Sequence, residues 1–93
     1  MSAPTYETGG YTNITTATTT QVSPVPKAVL GVFVSTSTSG TFAIYDNASA
    51  NTTSPVTGTV SAVAGTFYPL KAYCATGVTV VTAGTINCTV ICA

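Results

Sequence analysis

Arginine, histidine and tryptophan are absent from this sequence, and charge of either sign is nearly so: Lys27 and Lys71 are balanced by Glu7 and Asp46. Charged residues make up 4% of the chain, against roughly 25% in an average soluble domain. No basic stripe exists to displace counterions from phosphates, which excludes a nucleic-acid binder. The same shortage excludes electrostatic attachment to a membrane surface. Long hydrophobic runs are also missing: the longest, Ala28 to Val34, has seven residues, where a membrane-spanning helix needs about 20. Good helix formers are scarce, with two Leu, two Lys, one Glu, one Gln and one Met.

These absences thin out the catalytic options. Without His, a Ser or Thr nucleophile has only Lys27, Lys71, Asp46 or Glu7 as its base, and such pairs arise on paper in any chain this rich in hydroxyls. Glu7 and Asp46 could serve as a glycosidase pair, but Glu7 lies in a weakly patterned tail and an Asp-Asn pair at a strand end usually makes turn hydrogen bonds. Calcium wants six to eight oxygens, commonly from several carboxylates. Zinc wants a fourth ligand and close spacing, and the chain has no Cys-x-x-Cys. The expectation is a protein that is not an enzyme and uses no cofactor and no metal.

What is present is hydroxyl: 21 Thr and 8 Ser in 93 residues. These keep the surface wet in place of charge. Together with Val, Ile, Tyr and Phe they make the composition that of an all-β domain. The length fits one domain, which buries only about two-thirds of the surface its unfolded chain exposes.

Cys74, Cys88 and Cys92 cannot all pair internally, and buried small hydrophobes are the simplest reading. Cys88 and Cys92 on one strand share a face but stand about 13 Å apart at about 3.3 Å per residue, too far to bond. Cys74 could face either from a neighbouring strand. The Met1-Ser2-Ala3-Pro4 start has no basic segment followed by an apolar core, so synthesis in a cytoplasm is expected.

Along the chain, residues 1–25 read as an extended Thr-rich arm and residues 26–93 as a domain. Tyr6, Tyr11, Ile14 and Val22 are isolated apolar residues in the arm, which cannot order alone and is expected to lie on a neighbouring molecule. Pro24 and Pro26 stiffen the entry to the domain. Ala28 to Val34 reads as a central strand: Ala28, Leu30, Val32 and Val34 share one face, Val29, Gly31 and Phe33 the other, and both faces are apolar. Ser35 to Gly40 reads as a hairpin loop and Thr41 to Asn47 as the return strand. The segment 46–55 is the longest loop, with Asp46, Asn47 and Asn51 exposed for outer contacts. Val56 to Val63 reads as a weak edge strand. Thr66 to Cys74 follows an Ala64-Gly65 turn, and Pro69 places it at an edge or a bulge. Gly77 to Thr82 and Thr85 to Cys92 read as a final hairpin over Ala83-Gly84. The spacing predicts a compact antiparallel β-sandwich or a jelly-roll-like small barrel with an extended N-terminal arm. Every Asn (Asn13, Asn47, Asn51, Asn87) begins an Asn-x-Ser/Thr triplet. Without a signal sequence these read as turn and surface polarity.

Two stretches resemble a known group. Gly40-Thr41-Phe42-Ala43-Ile44-Tyr45-Asp46-Asn47-Ala48-Ser49, followed by Gly77-Val78-Thr79-Val80-Val81-Thr82-Ala83-Gly84-Thr85 and a closing strand, resembles small β-sandwich structural proteins of tailed bacteriophages. The resemblance covers roughly residues 26 to 93; three Cys and very few charges depart from that group's pattern. It implies a virion component, foremost a decoration or cement protein bound to the major capsid protein on the outer shell, and next a tail, neck or head-fibre component. It also implies self-association, as a trimer by analogy with decoration proteins at three-fold positions, or else a dimer. A neutral domain poorly protected against self-association suits life in a large assembly. The rival reading is a glycan- or receptor-adsorption module, whose marker would be an exposed aromatic platform drawn from Tyr45, Tyr68 and Tyr73.

Overall fold

The computed structural model describes residues 10–49 and 53–93. They form six strands and no helix: β1 (Gly10–Ile14), β2 (Thr19–Ser23), β3 (Lys27–Tyr45), β4 (Val60–Ser61), β5 (Thr66–Cys74) and β6 (Val78–Cys92). All pairings are antiparallel and belong to one sheet. The all-β, antiparallel reading of the composition is thus the observed fold.

The organising pair is β3 with β6, which run side by side from Val29 opposite Cys92 to Tyr45 opposite Thr79. The 19 residues of β3 would reach about 60 Å if straight, at about 3.3 Å per residue. They bend instead. Register breaks between Val29 and Gly31, Val34 and Thr36, and Thr38 and Thr41 place 17 residues of β3 opposite 14 of β6, and bulges of this kind kink the longer strand. At the corner made by the last of these breaks, Ser39 and Gly84 adopt positive φ, 55° and 74°. A Cβ on Gly84 would run into the Ser39 carbonyl, so this position needs both the conformation and the bareness of glycine.

The corner divides the sheet into two halves. In the first, β1, the C-terminal part of β6, the N-terminal part of β3, and β5 lie in that order. In the second, β2, the N-terminal part of β6, the C-terminal part of β3, and β4 follow one another. Both halves bury the same face of β6: Val78, Val80 and Thr82 before the corner, Ile86, Cys88, Val90 and Cys92 after it. The sheet therefore closes on itself as a sandwich around a single core, joined by Val29, Val32, Val34, Phe42, Ile44 and Cys74. Phe42 of the second half meets Tyr68 of the first edge-on, with ring centroids 5.3 Å apart. The flanking strands follow the same bend. Between β1 and β2, Thr18 exchanges backbone hydrogen bonds with Thr82, and the buried Thr82 hydroxyl donates to the Thr16 carbonyl at 2.7 Å. Between β4 and β5, Ala62 and Gly65 donate to the carbonyls of Gly40 and Val34.

Several local expectations are corrected. Ser35 to Gly40 is not a hairpin loop and Thr41 to Asn47 is not a separate return strand; Ser35 to Tyr45 all belong to β3, which continues through them along β6, and Asp46 and Asn47 lie just beyond its end. Ala83-Gly84 does not reverse the chain either, because β6 is one strand of 15 residues. In both places the polar, Gly-containing signal marks the corner. Of Val56 to Val63 only Val60–Ser61 forms a strand, at an edge, with a separate bridge between Tyr45 and Pro55. Residues 10–23 are not a free arm, since β1 and β2 pair with this chain's own β6 and Ile14 enters its core. Cys74 lies on β5, which pairs with β3 and not with β6; all three thiols are free and buried. By contrast, Ala28 to Val34 is central as expected, and β5 follows its turn and carries Pro69 and Lys71 on an edge strand. No helix among the described residues is long and apolar enough to cross a membrane.

Candidate functional site

Among the described residues, no three or more of His, Cys, Asp and Glu come together. Asp46, placed in the sequence among exposed loop residues, is half-buried, and its side chain is used inside the molecule. Its carboxylate accepts hydrogen bonds from the Thr76 N–H at 2.9 Å, the Thr76 hydroxyl at 2.8 Å, the Ala75 N–H at 3.1 Å and the Gly77 N–H at 3.4 Å. These donors, Thr76 foremost, hold the carboxyl below the usual carboxylate range against an opposing push from desolvation. Asn47 is likewise half-buried; its carbonyl accepts from the Thr79 hydroxyl and its side chain bonds Ser49 and Thr53. Asp46 and Asn47 thus fasten the end of β3 to the turn before β6. Asn51 and Tyr6 lie outside the described residues.

Burial pushes the thiols of Cys74, Cys88 and Cys92 up. They stay protonated at neutral pH and pack as small apolar groups.

A further feature is the outer surface of the first half-sheet. Along β5, Tyr68 and Leu70 pack inward while Phe67, Pro69, Lys71 and Tyr73 point out. Register then fixes their neighbours. One row across the strands reads Tyr11, Ile91, Gly31, Pro69, and the next reads Asn13, Thr89, Phe33, Phe67. Tyr11 is 77% exposed, Tyr73 69%, Phe67 46% and Phe33 41%. The Phe67 ring lies over Gly31, whose missing Cβ leaves it room. At the polar end, the Asn13 amide donates to Asn87 Oδ1 at 2.9 Å, the Cys88 carbonyl at 3.0 Å and Thr89 Oγ1 at 3.2 Å. The face is apolar and aromatic, with Lys71 as its one charge.

The residues expected to touch a neighbour therefore separate: Tyr11 lies on this outer face, Ile14 is buried beneath it, and Val22 packs at the core's margin. Of the three tyrosines weighed as a platform, only Tyr73 is exposed. Tyr45 is half-buried, and Tyr68 packs on Phe42 and accepts from the Val63 N–H at 2.9 Å. Sequence reading missed Phe67 and Pro69 as parts of one face with Tyr11. Alternation marks each strand's outward side, but only the register sets the strands beside one another.

Because the folded sheet is open at its sides, the described residues leave clefts there. One, of about 170 Å³, lies between β4 and β5 and is lined mainly by Val32, Phe42, Ile44, Val60, Tyr68 and Leu70. Another, of about 180 Å³, lies between β1 and β2 and is lined by Tyr11, Thr12, Val22, Ser23, Lys27 and Cys92 among others. Comparison of the chain with family models, with curated proteins and with solved structures gave no match.

Proposed function

We propose that the protein is a non-enzymatic structural protein of a tailed-phage virion, a decoration or cement protein that docks on the major capsid shell through the outer face of its first half-sheet. The observation that carries the docking is the aromatic patch of Tyr11, Phe33, Phe67 and Tyr73, continuous with Ile91 and Pro69. A contiguous exposed apolar face on a small domain commonly marks a protein-interaction surface. Aromatic anchors supply large contact area there. The virion assignment rests on the likeness of residues 40–49 and 77–85 to small phage structural proteins. Scarcity of charge supports it as well, since many neutral copies can crowd a shell without mutual repulsion.

Binding of the purified chain to shells stripped of it tests the reading. Replacing Phe33 and Phe67 together by Ser is expected to weaken docking by about tenfold or more, with the fold kept because both rings already stand partly in water. Undiminished binding by that variant overturns the docking face. A copy number far below that of the shell protein overturns the decoration role in favour of a tail or neck position. The exposure of Tyr11 and Tyr73 favours a second reading, adsorption to a glycan, which a glycan array would reveal as selective retention lost in Tyr73→Ala.

A further inference from the structure

The folded sheet has four strand edges, and three of them carry devices that discourage pairing. β2 has a register break between Gln21 and Ser23 and runs into Pro24. β4 is two residues long. β5 contains Pro69, which has no N–H to offer, and Lys71, and its register is also broken. Bulges, prolines, short strands and edge lysines are the means by which proteins keep sheet edges from joining others. β1 has none of them. Its five residues, Gly-Tyr-Thr-Asn-Ile, are uncharged and proline-free and keep an unbroken register with β6. Among the described residues no strand pairs with its other side.

We infer that this edge is a pairing site for the β1 of a second copy, giving a two-fold dimer in which two first half-sheets join into one eight-stranded sheet. The sequence of β1 fits antiparallel pairing with itself. Centred on Thr12, the pairing sets Thr12 against the partner's Thr12, Tyr11 against the partner's Asn13, and Gly10 against the partner's Ile14. Every pair lies on one face of the joined sheet, as antiparallel partners must. The largest inward side chain, Ile14, meets the smallest, Gly10, where an added Cβ would find nothing within 4 Å. The outer pair sets a phenol beside an amide. No charge opposes another anywhere along the edge. The second copy is favoured over a foreign strand because the match is self-complementary at all five positions. The inference deepens the docking reading: Tyr11 sits at the seam, so dimerisation would make the two aromatic faces continuous.

The mass of the full chain in solution, by sedimentation equilibrium, tests the pairing. A dimer is expected for the natural chain and for Thr12→Val, which keeps the β-branched shape. Thr12→Lys places like charges directly opposite across the axis and is expected to raise the dimer dissociation constant by about fivefold or more. Since Thr12 is half-buried, Thr12→Cys gives a second readout. Across the axis its thiols fall within disulfide reach, so mild oxidation of the native protein should yield a covalent dimer through residue 12. A monomer at all concentrations, a trimer, an undiminished dimer in folded Thr12→Lys, or no cross-link in folded Thr12→Cys overturns the pairing. The Phe33 and Phe67 replacements should leave the mass unchanged. A dimer that fails to dock through its outer face would therefore sink the shell-binding reading and leave the pairing standing.

Discussion

Thr82 shows how a chain with so little charge obtains specificity. Its side chain is buried, donates to the Thr16 carbonyl and accepts from the Thr18 N–H at 3.1 Å, tying the link between β1 and β2 to the corner of β6. Thr82→Val keeps the shape but leaves the Thr16 carbonyl without its donor, and should cost about 1–3 kcal/mol in urea unfolding. Among the described residues, Asp46 is an ionised group with a comparable structural role. Its folded pKa lies below the ordinary 3.8, so the stabilisation it provides is complete above that value and is lost as pH falls through the folded value. Acid unfolding followed by circular dichroism should show a limb beginning near the ordinary carboxylate value, and Asp46→Asn should flatten it. The same replacement should leave stability at pH 7 with no further dependence on pH from this site.

Among the elements, the corner determines whether β3 and β6 can serve both halves of the sheet. Gly84→Ala must hold a Cβ at positive φ against the Ser39 carbonyl, and is expected to destabilise the fold by about 2 kcal/mol or more, read as a lowered melting temperature. The corner also explains what the amino-acid pattern disclosed and what it hid. Strand composition, the central place of Ala28 to Val34, the Ala64-Gly65 turn and the edge character of β5 were all legible, because each follows from local chemistry: β-branched alternation, glycine at positive φ, proline without a donor. The face assignment in β3 was not. Alternation puts Val29 opposite Val32 and Val34, yet all three are buried, because the register break after Val29 turns the strand over. Ser35 to Gly40 and Ala83-Gly84 carry the same residues as reversing turns. They sit opposite each other across β3 and β6, so each bends its strand where a hairpin would reverse it, and only long-range pairing separates these outcomes. Ile14 looked stranded among threonines because its partner, Cys88, lies far along the chain. The aromatic outer face was half-legible for the same reason: Phe33 alternates outward in the sequence, but its pairing with Phe67 depends on register.

For the molecule as a whole, neutrality becomes a measurable property of its contacts. If docking uses the outer aromatic face, the affinity for the shell should change by less than about threefold between low and high salt, since the face offers Lys71 as its single charge. A basic or acidic attachment surface would lose far more. The buried thiols give an independent check that the sandwich is closed: Cys74 and Cys88 should react with a thiol reagent only at the rate of unfolding, and together.

The pairing of Val29 with Cys92 and of Tyr45 with Thr79 also determines how such a chain finds its fold. Neither half-sheet contains a local pair of long strands that could form first, because both take their two central strands from distant parts of the sequence. Ordering either half therefore requires closing the large loop between β3 and β6, and topologies dominated by such closures fold in about milliseconds to seconds. Once formed, β3 and β6 cross both halves, so neither half can open without unzipping strands of the other. Amide hydrogen exchange along these two strands should accordingly converge on one free energy, that of global unfolding.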